Sequence, residues 1–294
     1  MAESKLVWQS KLVLLIVLPF AGAEVVLQTH FFLTALEHVA IATIGVSLLF
    51  GLVVIKLRAG TPAAAFSGAL MTGCLMFSTA TFPYYPWQTA LVPVLAVFVL
   101  AFGTTRLGRV KKEQLGIAER RRGRTAAQVA ANLGNAALVA SPLVQLWMMD
   151  AHWFTPSGLA PTRLFAVSLA TLAEAAADTV SSEIGQVLGG SPRMITTLRV
   201  AEPGTDGAVS VVGTMAGVVA GCVVAGLGTL ALRGDVAFFW ISAASGVFGL
   251  FFDSVLGATF ERRGWLNNDM VNFLSTGSAA GFAFGLLAVI NYRG

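Results

Sequence analysis

The chain has 294 residues, 56% of them hydrophobic and only 12% charged, where soluble domains carry about 25% charged residues. That composition excludes a soluble globular enzyme and predicts an all-α polytopic membrane protein. The formal net charge of +4 reports topology and contact with anionic membrane lipids. A polynucleotide-binding patch would need aromatic interleaving or a groove-sized fold, and with neither visible no nucleic-acid partner is expected.

Windows of about 17 to 25 apolar residues predict about nine transmembrane helices, near 12–27, 34–55, 63–82, 88–104, 126–148, 163–178, 208–232, 236–253 and 271–291. Lys5 and Lys11 precede the first run as they would in a secretory signal. Residues 21–29 offer no convincing cleavage site and further spans follow at once, so a retained helix is expected. Cys74 and Cys222 both fall inside spans, which argues against a disulfide framework or a thiolate metal site. Glu24, Glu37 and His38 lie near the outer interface, where snorkelling or a structural hydrogen bond suffices, and Tyr84, Tyr85 and Trp87 form an outer aromatic belt.

With the N-terminus cytoplasmic, sixteen of the 19 basic residues lie on inside segments, and only Arg163, Arg233 and Arg293 lie outside. This satisfies the positive-inside rule and predicts a multi-pass protein of the cell inner membrane. Residues 1–294 read as one transmembrane domain. Residues 1–104 are mainly scaffold, and residues 105–294, where the unusual intramembrane polar groups concentrate, hold the catalytic helices and cytoplasmic loops.

Four polar clusters follow in order. In "ERRRGRTAAQVAANLGN", Arg124, Gln128, Asn132 and Asn135 share one helical face, next to Arg121 and Arg122. In "ADTVSSEIG", Asp178 ends a span with Glu174 one turn earlier. Glu183 lies about 140° away in a regular helix, so it shares a ligand with Asp178 only if the helix ends or bends. The crossing "GGSPRMITTLRVAEPGTDGAVS" then brings Arg193, Thr196, Thr197 and Arg199 beside a turn containing Gly204, Thr205 and Gly207. A glycine-rich turn at a helix N-terminus suits phosphate, although many membrane loops are rich in glycine.

The third cluster, "FFDSVLGATFERRGW", carries the stripe Ser242, Ser245, Gly249 and Asp253. Helix packing explains its small residues but not the carboxylate. In the fourth, "NNDMVNFLSTGSAAG", Asn268, Asn272 and Thr276 recur every fourth residue. Asn268 or Asp269 could serve only as a helix cap, whereas Asn272 is a full turn inside. The derived topology turns all four clusters to the cytoplasm.

Carboxylates, arginines, hydroxyl and amide groups and a glycine-rich turn at one interface suit phosphoryl transfer. Mg2+ needs few protein ligands, and arginines clamp phosphate oxygens. The three histidines, His30, His38 and His152, lie away from the clusters. A phosphomonoester acceptor, with a second pKa of about 6, is already a nucleophile at neutral pH.

The strings "RRRGRTAAQVAAN", "ADTVSSEIG", "SPRMITTLRVAEPGTDGAVSVVGT", "FDSVLGATFERR" and "WLNNDMVNFLSTGSAAG" resemble, in order over most of residues 105–290, the integral-membrane family that contains phytyl-phosphate kinase and transmembrane protein 19. The resemblance implies synthesis of prenyl diphosphates from prenyl monophosphates, of the phytyl or geranylgeranyl type, with CTP or another nucleoside triphosphate and Mg2+. It implies that Asp178, Glu183, Asp253 and Asp269 are metal or catalytic carboxylates. Arg121, Arg122, Arg124, Arg193 and Arg199 would contact phosphate, and Asn132, Thr205, Ser210, Asn268 and Asn272 would line the site. Ala208, where the pattern leads to a second glycine, is a departure. Two alternatives stay open, a CDP-lipid-forming cytidylyltransferase and a prenyl-phosphate transporter or flippase.

Overall fold

The computed structural model describes residues 7–114, 116, 123–150 and 161–292. The described chain is almost wholly helical: α1 (Val7–Ala35), α2 (Glu37–Lys56), α3 (Pro62–Ser78), α4 (Leu91–Arg106), α5 (Arg109–Gln114), α6 (Ala126–Ala140), α7 (Pro142–Asp150), α8 (Phe165–Leu188), α9 (Val211–Ala231), α10 (Val236–Leu256) and α11 (Asn268–Tyr292). Among the described residues the sheet structure is one small hairpin between α8 and α9, in which β1 (Arg193–Met194) pairs antiparallel with β2 (Ala208–Val209). Each predicted span falls on helix, because a backbone in lipid must satisfy its hydrogen bonds internally.

Five helices among the described residues are long and apolar enough to cross a membrane: α1, α2, α9, α10 with its extension to Glu261, and α11. A sixth arises if α6 and α7 form one span, bent by 57° where Pro142 removes a backbone donor. The nine predicted segments therefore reduce to five or six spans by length and composition. The helices α3 and α4 have 17 and 16 residues, and α8 carries Glu174, Asp178 and Glu183 within its 24 residues.

Residue choice sets the helix starts. Thr61 and Ser210 cap α3 and α9 with side-chain oxygens, and Pro62 occupies the first turn of α3, where its missing N–H costs nothing. Thr125 and Gln128 form a reciprocal capping box on α6. These contacts satisfy donors that a helix N-terminus otherwise leaves unpaired.

The core is continuous from Val13 on α1 to Leu287 on α11. Within it α8 packs against α4, α6, α9, α10 and α11. The closest approach uses small residues: a Cβ at Gly217 of α9 would lie 2.6 Å from the Ala177 carbonyl oxygen, and one at Gly213 2.6 Å from that of Ser181. Such ridges let two backbones meet where lipid supplies no hydrophobic drive. The result is to hold α8, with its acidic residues, inside the bundle.

Polar bonds join helices where apolar contact alone would leave register open. Asn135 donates to the Phe273 carbonyl at 2.6 Å and to the Thr276 hydroxyl at 2.9 Å, tying α6 to α11. Ser168 donates to the Ala136 carbonyl at 2.9 Å, tying α8 to α6. Connectivity then brings the α2–α3 loop, the segment before α6, the hairpin and the α10–α11 connection to one end of the bundle.

Candidate active site

At that end lies a polar cavity of about 360 Å³. Three helix N-termini border it: Arg124 and Gln128 come from the start of α6, Ser210 from the cap of α9, and Asn268 and Asn272 from the start of α11. Each N-terminus carries partial positive charge. Opposite charge comes from Asp178 on α8, Asp253 on α10 and Glu261 beyond it.

Arg124 is positioned by its backbone. It bridges to the α2–α3 loop, donating to the Ala59 carbonyl at 3.1 Å and accepting from the Thr61 N–H at 3.0 Å. Gly123 makes this approach, since its φ is +71° and a Cβ would sit 2.5 Å from the Ala59 carbonyl. The guanidinium is 3.4 Å from the Thr179 hydroxyl, beside the Asp178 carboxylate. Asn132 donates to the Gln128 carbonyl at 2.8 Å, which turns its amide along the cavity wall.

The Asp178 and Asp253 carboxyl groups both line the cavity and act on each other electrostatically, and Glu174 faces both from deeper in α8. Gly249 makes room for Glu174, because a Cβ there would collide with the Glu174 Cγ. Ser275 lies beside Glu174 and Asp253, yet its hydroxyl donates to the Asn272 carbonyl at 3.1 Å. Glu174 Oε1, Ser245 Oγ and Asp253 Oδ2 are buried without a hydrogen-bond partner. Buried oxygens left unpaired are costly, and close carboxylates in a buried site favour a compensating cation or proton.

That arrangement fits Mg2+ in its usual mode, with one or two carboxylates and the remaining positions given to water and phosphate oxygens. No set of three His, Cys, Asp or Glu side chains among the described residues forms a cation cage. Asp178 and Asp253 are the residues that would hold such an ion.

The turn "PGTDG" lies against the end of α10. Gly207 has φ +72°, and a Cβ on it would collide with the Ala258 backbone. The Thr205 and Ala208 N–H groups bond within the turn, to Glu202 and Thr205 carbonyls at 3.2 and 3.0 Å. The Ser210 hydroxyl accepts from the Gly213 N–H at 3.1 Å. Gly204, Thr205, Gly207 and Ser210 all line the cavity, but as an internally bonded turn rather than an open cradle of N–H groups.

Several expected site residues lie elsewhere. Arg193, Thr196, Thr197 and Arg199 are exposed on the hairpin and do not line the cavity; Arg193 donates to the Leu198 carbonyl at 2.9 Å. Asp269 accepts from the Ser10 hydroxyl at 2.5 Å, so it ties α11 to α1. Glu183 lines the cavity, but α8 continues without a break and both carboxylate oxygens are engaged, one by the Thr105 hydroxyl at 2.9 Å and the other by Lys112. Arg121 and Arg122 lie outside the described residues.

Glu261 went unmarked in the sequence. Eight residues after Asp253, it would sit about 80° around a regular helix. The chain over Gly257–Glu261 instead forms a π turn, whose wider i→i+5 pattern carries Glu261 to the cavity. Such turns cluster at functional sites.

Comparison with known proteins adds the family. The chain is 33% identical to a membrane protein of Synechocystis over 214 residues, covering 69% of this chain and 75% of the relative. It is 44% identical to a membrane protein of Methanocaldococcus jannaschii over 108 residues, 37% of this chain and 45% of the relative. To the chloroplastic VTE6 protein of Arabidopsis thaliana it is 28% identical over 220 residues, 74% of this chain and 62% of the relative. The chain thus spans about half of the Methanocaldococcus protein and somewhat under two thirds of the Arabidopsis one. No solved structure matches. Residues 45–280 match the family described as integral membrane protein DUF92, and the chain belongs to that family, the one its ordered polar strings resemble.

Proposed function

We propose that the protein transfers the terminal phosphoryl group of CTP, or of another nucleoside triphosphate, to a prenyl monophosphate of the phytyl or geranylgeranyl type. The products are the prenyl diphosphate and the nucleoside diphosphate, formed at the cytoplasmic face of the inner membrane. One observation carries this reading: a single polar cavity joins the adjacent carboxyl groups of Asp178 and Asp253 to Arg124 and to the N-termini of α6, α9 and α11.

Each part meets a need of the reaction. Two phosphate-bearing substrates repel each other, and aligning them is most of the catalytic task. Arg124 and the three helix ends offset that repulsion and fix where the phosphates lie. A phosphomonoester attacks as an anion at neutral pH, so a cavity lining with no histidine among the described residues is compatible with the chemistry. Mg2+, held by Asp178 and Asp253, would supply charge neutralisation on the donor phosphates.

The test is product analysis with purified protein, CTP and geranylgeranyl or phytyl phosphate. Expected products are the prenyl diphosphate and CDP in equal amounts, lost on chelation with EDTA and restored by Mg2+. Release of pyrophosphate with a CDP-lipid would replace this reading by a cytidylyltransferase. Transfer of the prenyl phosphate across vesicles without nucleotide consumption would replace it by a transporter.

A further inference from the structure

A second cavity, of about 120 Å³, lies between α2, α3, α4 and α6. Phe50, Val54, Val97, Phe98 and Leu133 give it apolar walls. One end is cationic, with Arg58, Arg106, Arg109 and Arg124. Two of these guanidinium groups are held in place: Arg106 stacks 3.6 Å over the Phe102 ring and donates to the Leu57 carbonyl at 2.8 Å, while Arg109 pairs with Glu113 at 3.0 Å.

The groove shares a wall with the polar cavity. Arg124 and Asn132 line both. Thr105 and Lys112, which line the groove, bind Glu183, which lines the polar cavity. A ligand with its chain among Phe50, Val97 and Phe98 would therefore present its head at Arg124, on the boundary of the carboxylate site.

We propose that this groove binds the acceptor lipid, a single-chain isoprenoid monophosphate, with its hydrocarbon chain between α2, α3, α4 and α6 and its phosphate at the cluster of Arg58, Arg106, Arg109 and Arg124. The assignment rests on the prenyl-phosphate reading above and deepens it, placing chain selectivity chiefly on α2, α3 and α4, whose sequence reads as scaffold. Charge complementarity selects a phosphorylated lipid over a neutral one. The wall of Arg124 and Asn132 shared with the polar cavity favours a ligand whose phosphate reacts there over a bystander membrane lipid.

The test uses the full chain in phosphatidylcholine nanodiscs and geranylgeranyl phosphate carrying a diazirine at the far end of its chain, with adducts located by peptide mass spectrometry. Adducts are expected at the apolar end of the groove, within residues 50–54, 94–98 and 129–133, and not beside the arginine cluster. Geranylgeranyl phosphate should compete about tenfold or more better than geranylgeraniol, as loss of charge-assisted hydrogen bonds predicts, and better than phosphatidic acid. Adducts spread over other faces of the bundle, or equal competition by the alcohol or phosphatidic acid, would overturn the assignment. Ala101→Phe, which fills the groove, should reduce labelling by the long probe more than by a ten-carbon analogue, and the wild-type adduct map stands whether or not that variant folds. Labelling in the groove without nucleotide turnover would remove the kinase reading alone, and turnover with labelling elsewhere would remove the groove alone.

Discussion

Asp178 and Asp253 reach the same point from different helices, and helix packing leaves their adjacency unexplained. Ser242, Ser245 and Gly249 suffice to seat α10 against α8, while the carboxylate that ends the stripe has a buried oxygen with no partner. A feature that costs stability and sits in a polar cavity is a signature of function. Asp178→Asn and Asp253→Asn keep shape and remove charge, and each should lower phosphoryl transfer about 100-fold or more, the range for losing one transition-state charge contact, with a melting temperature that is unchanged or raised. Glu183 behaves differently. Lys112 is 1% exposed and ends on Glu183, so the pair joins α5 to α8. Lys112→Met should cost about 3 kcal/mol by leaving the Glu183 carboxylate without its counter-ion, and Lys112→Met with Glu183→Gln should recover most of that loss in thermal unfolding. If the double variant were no more stable than the single, the contact would not be an ion pair of that kind.

Elements are set by their ends as much as by their apolar faces. Caps at Thr61, Thr125 and Ser210 place the starts of α3, α6 and α9 beside the cavities. The π turn after α10 aims Glu261, and Gly207 lets the hairpin turn lie on that π turn without a Cβ between them. At the opposite end of the bundle Asp235 caps α10, accepting from the Phe238 N–H at 2.8 Å and from Arg163 at 2.7 Å. The Phe238 N–H first, and then the Arg163 guanidinium, hold the Asp235 carboxyl below its usual value. A group whose folded value is depressed contributes stability that is complete above its unfolded value, about 3.9 for Asp, and is lost as pH falls through the folded value. Asp235→Ala should therefore cost about 1 kcal/mol at neutral pH, the usual size of an N-cap. The gap in melting temperature between it and wild type should hold down to about pH 4 and close below that. A gap that widened on acidification would reverse the sign of the argument.

The helical plan and the outline of the site were legible in the sequence for one reason: polar groups in lipid are costly, so Asn132, Asp178, Asp253 and Asn272 stand out against their surroundings. What sequence hid follows from geometry beyond helical period. Arg193 and Met194 alternate across a strand, and it is Met194 that turns inward, so nearness to the turn misdirected the reading of Arg193 and Arg199. The partner of Asp269 is 259 residues away, and the π turn defeats an α-period count at Glu261. The groove was invisible because side chains that line a lipid-chain site are the same kind that face bulk lipid. Orientation is the remaining property of the whole bundle: the cavity end carries Arg106, Arg124, Arg193 and Arg262, and the other carries Arg163 and Arg233, bonded to Asp235 and Gln88. By the positive-inside rule the first end is the one expected in the cytoplasm, where nucleotide is available. In a background with Cys74 and Cys222 replaced by Ala, Thr196→Cys on the exposed hairpin should react with an impermeant maleimide in inside-out vesicles only. Trp87→Cys, on the exposed loop before α4, should react in right-side-out vesicles only. The opposite pattern would turn the cavity away from the nucleotide pool, and the kinase reading would fall with the orientation.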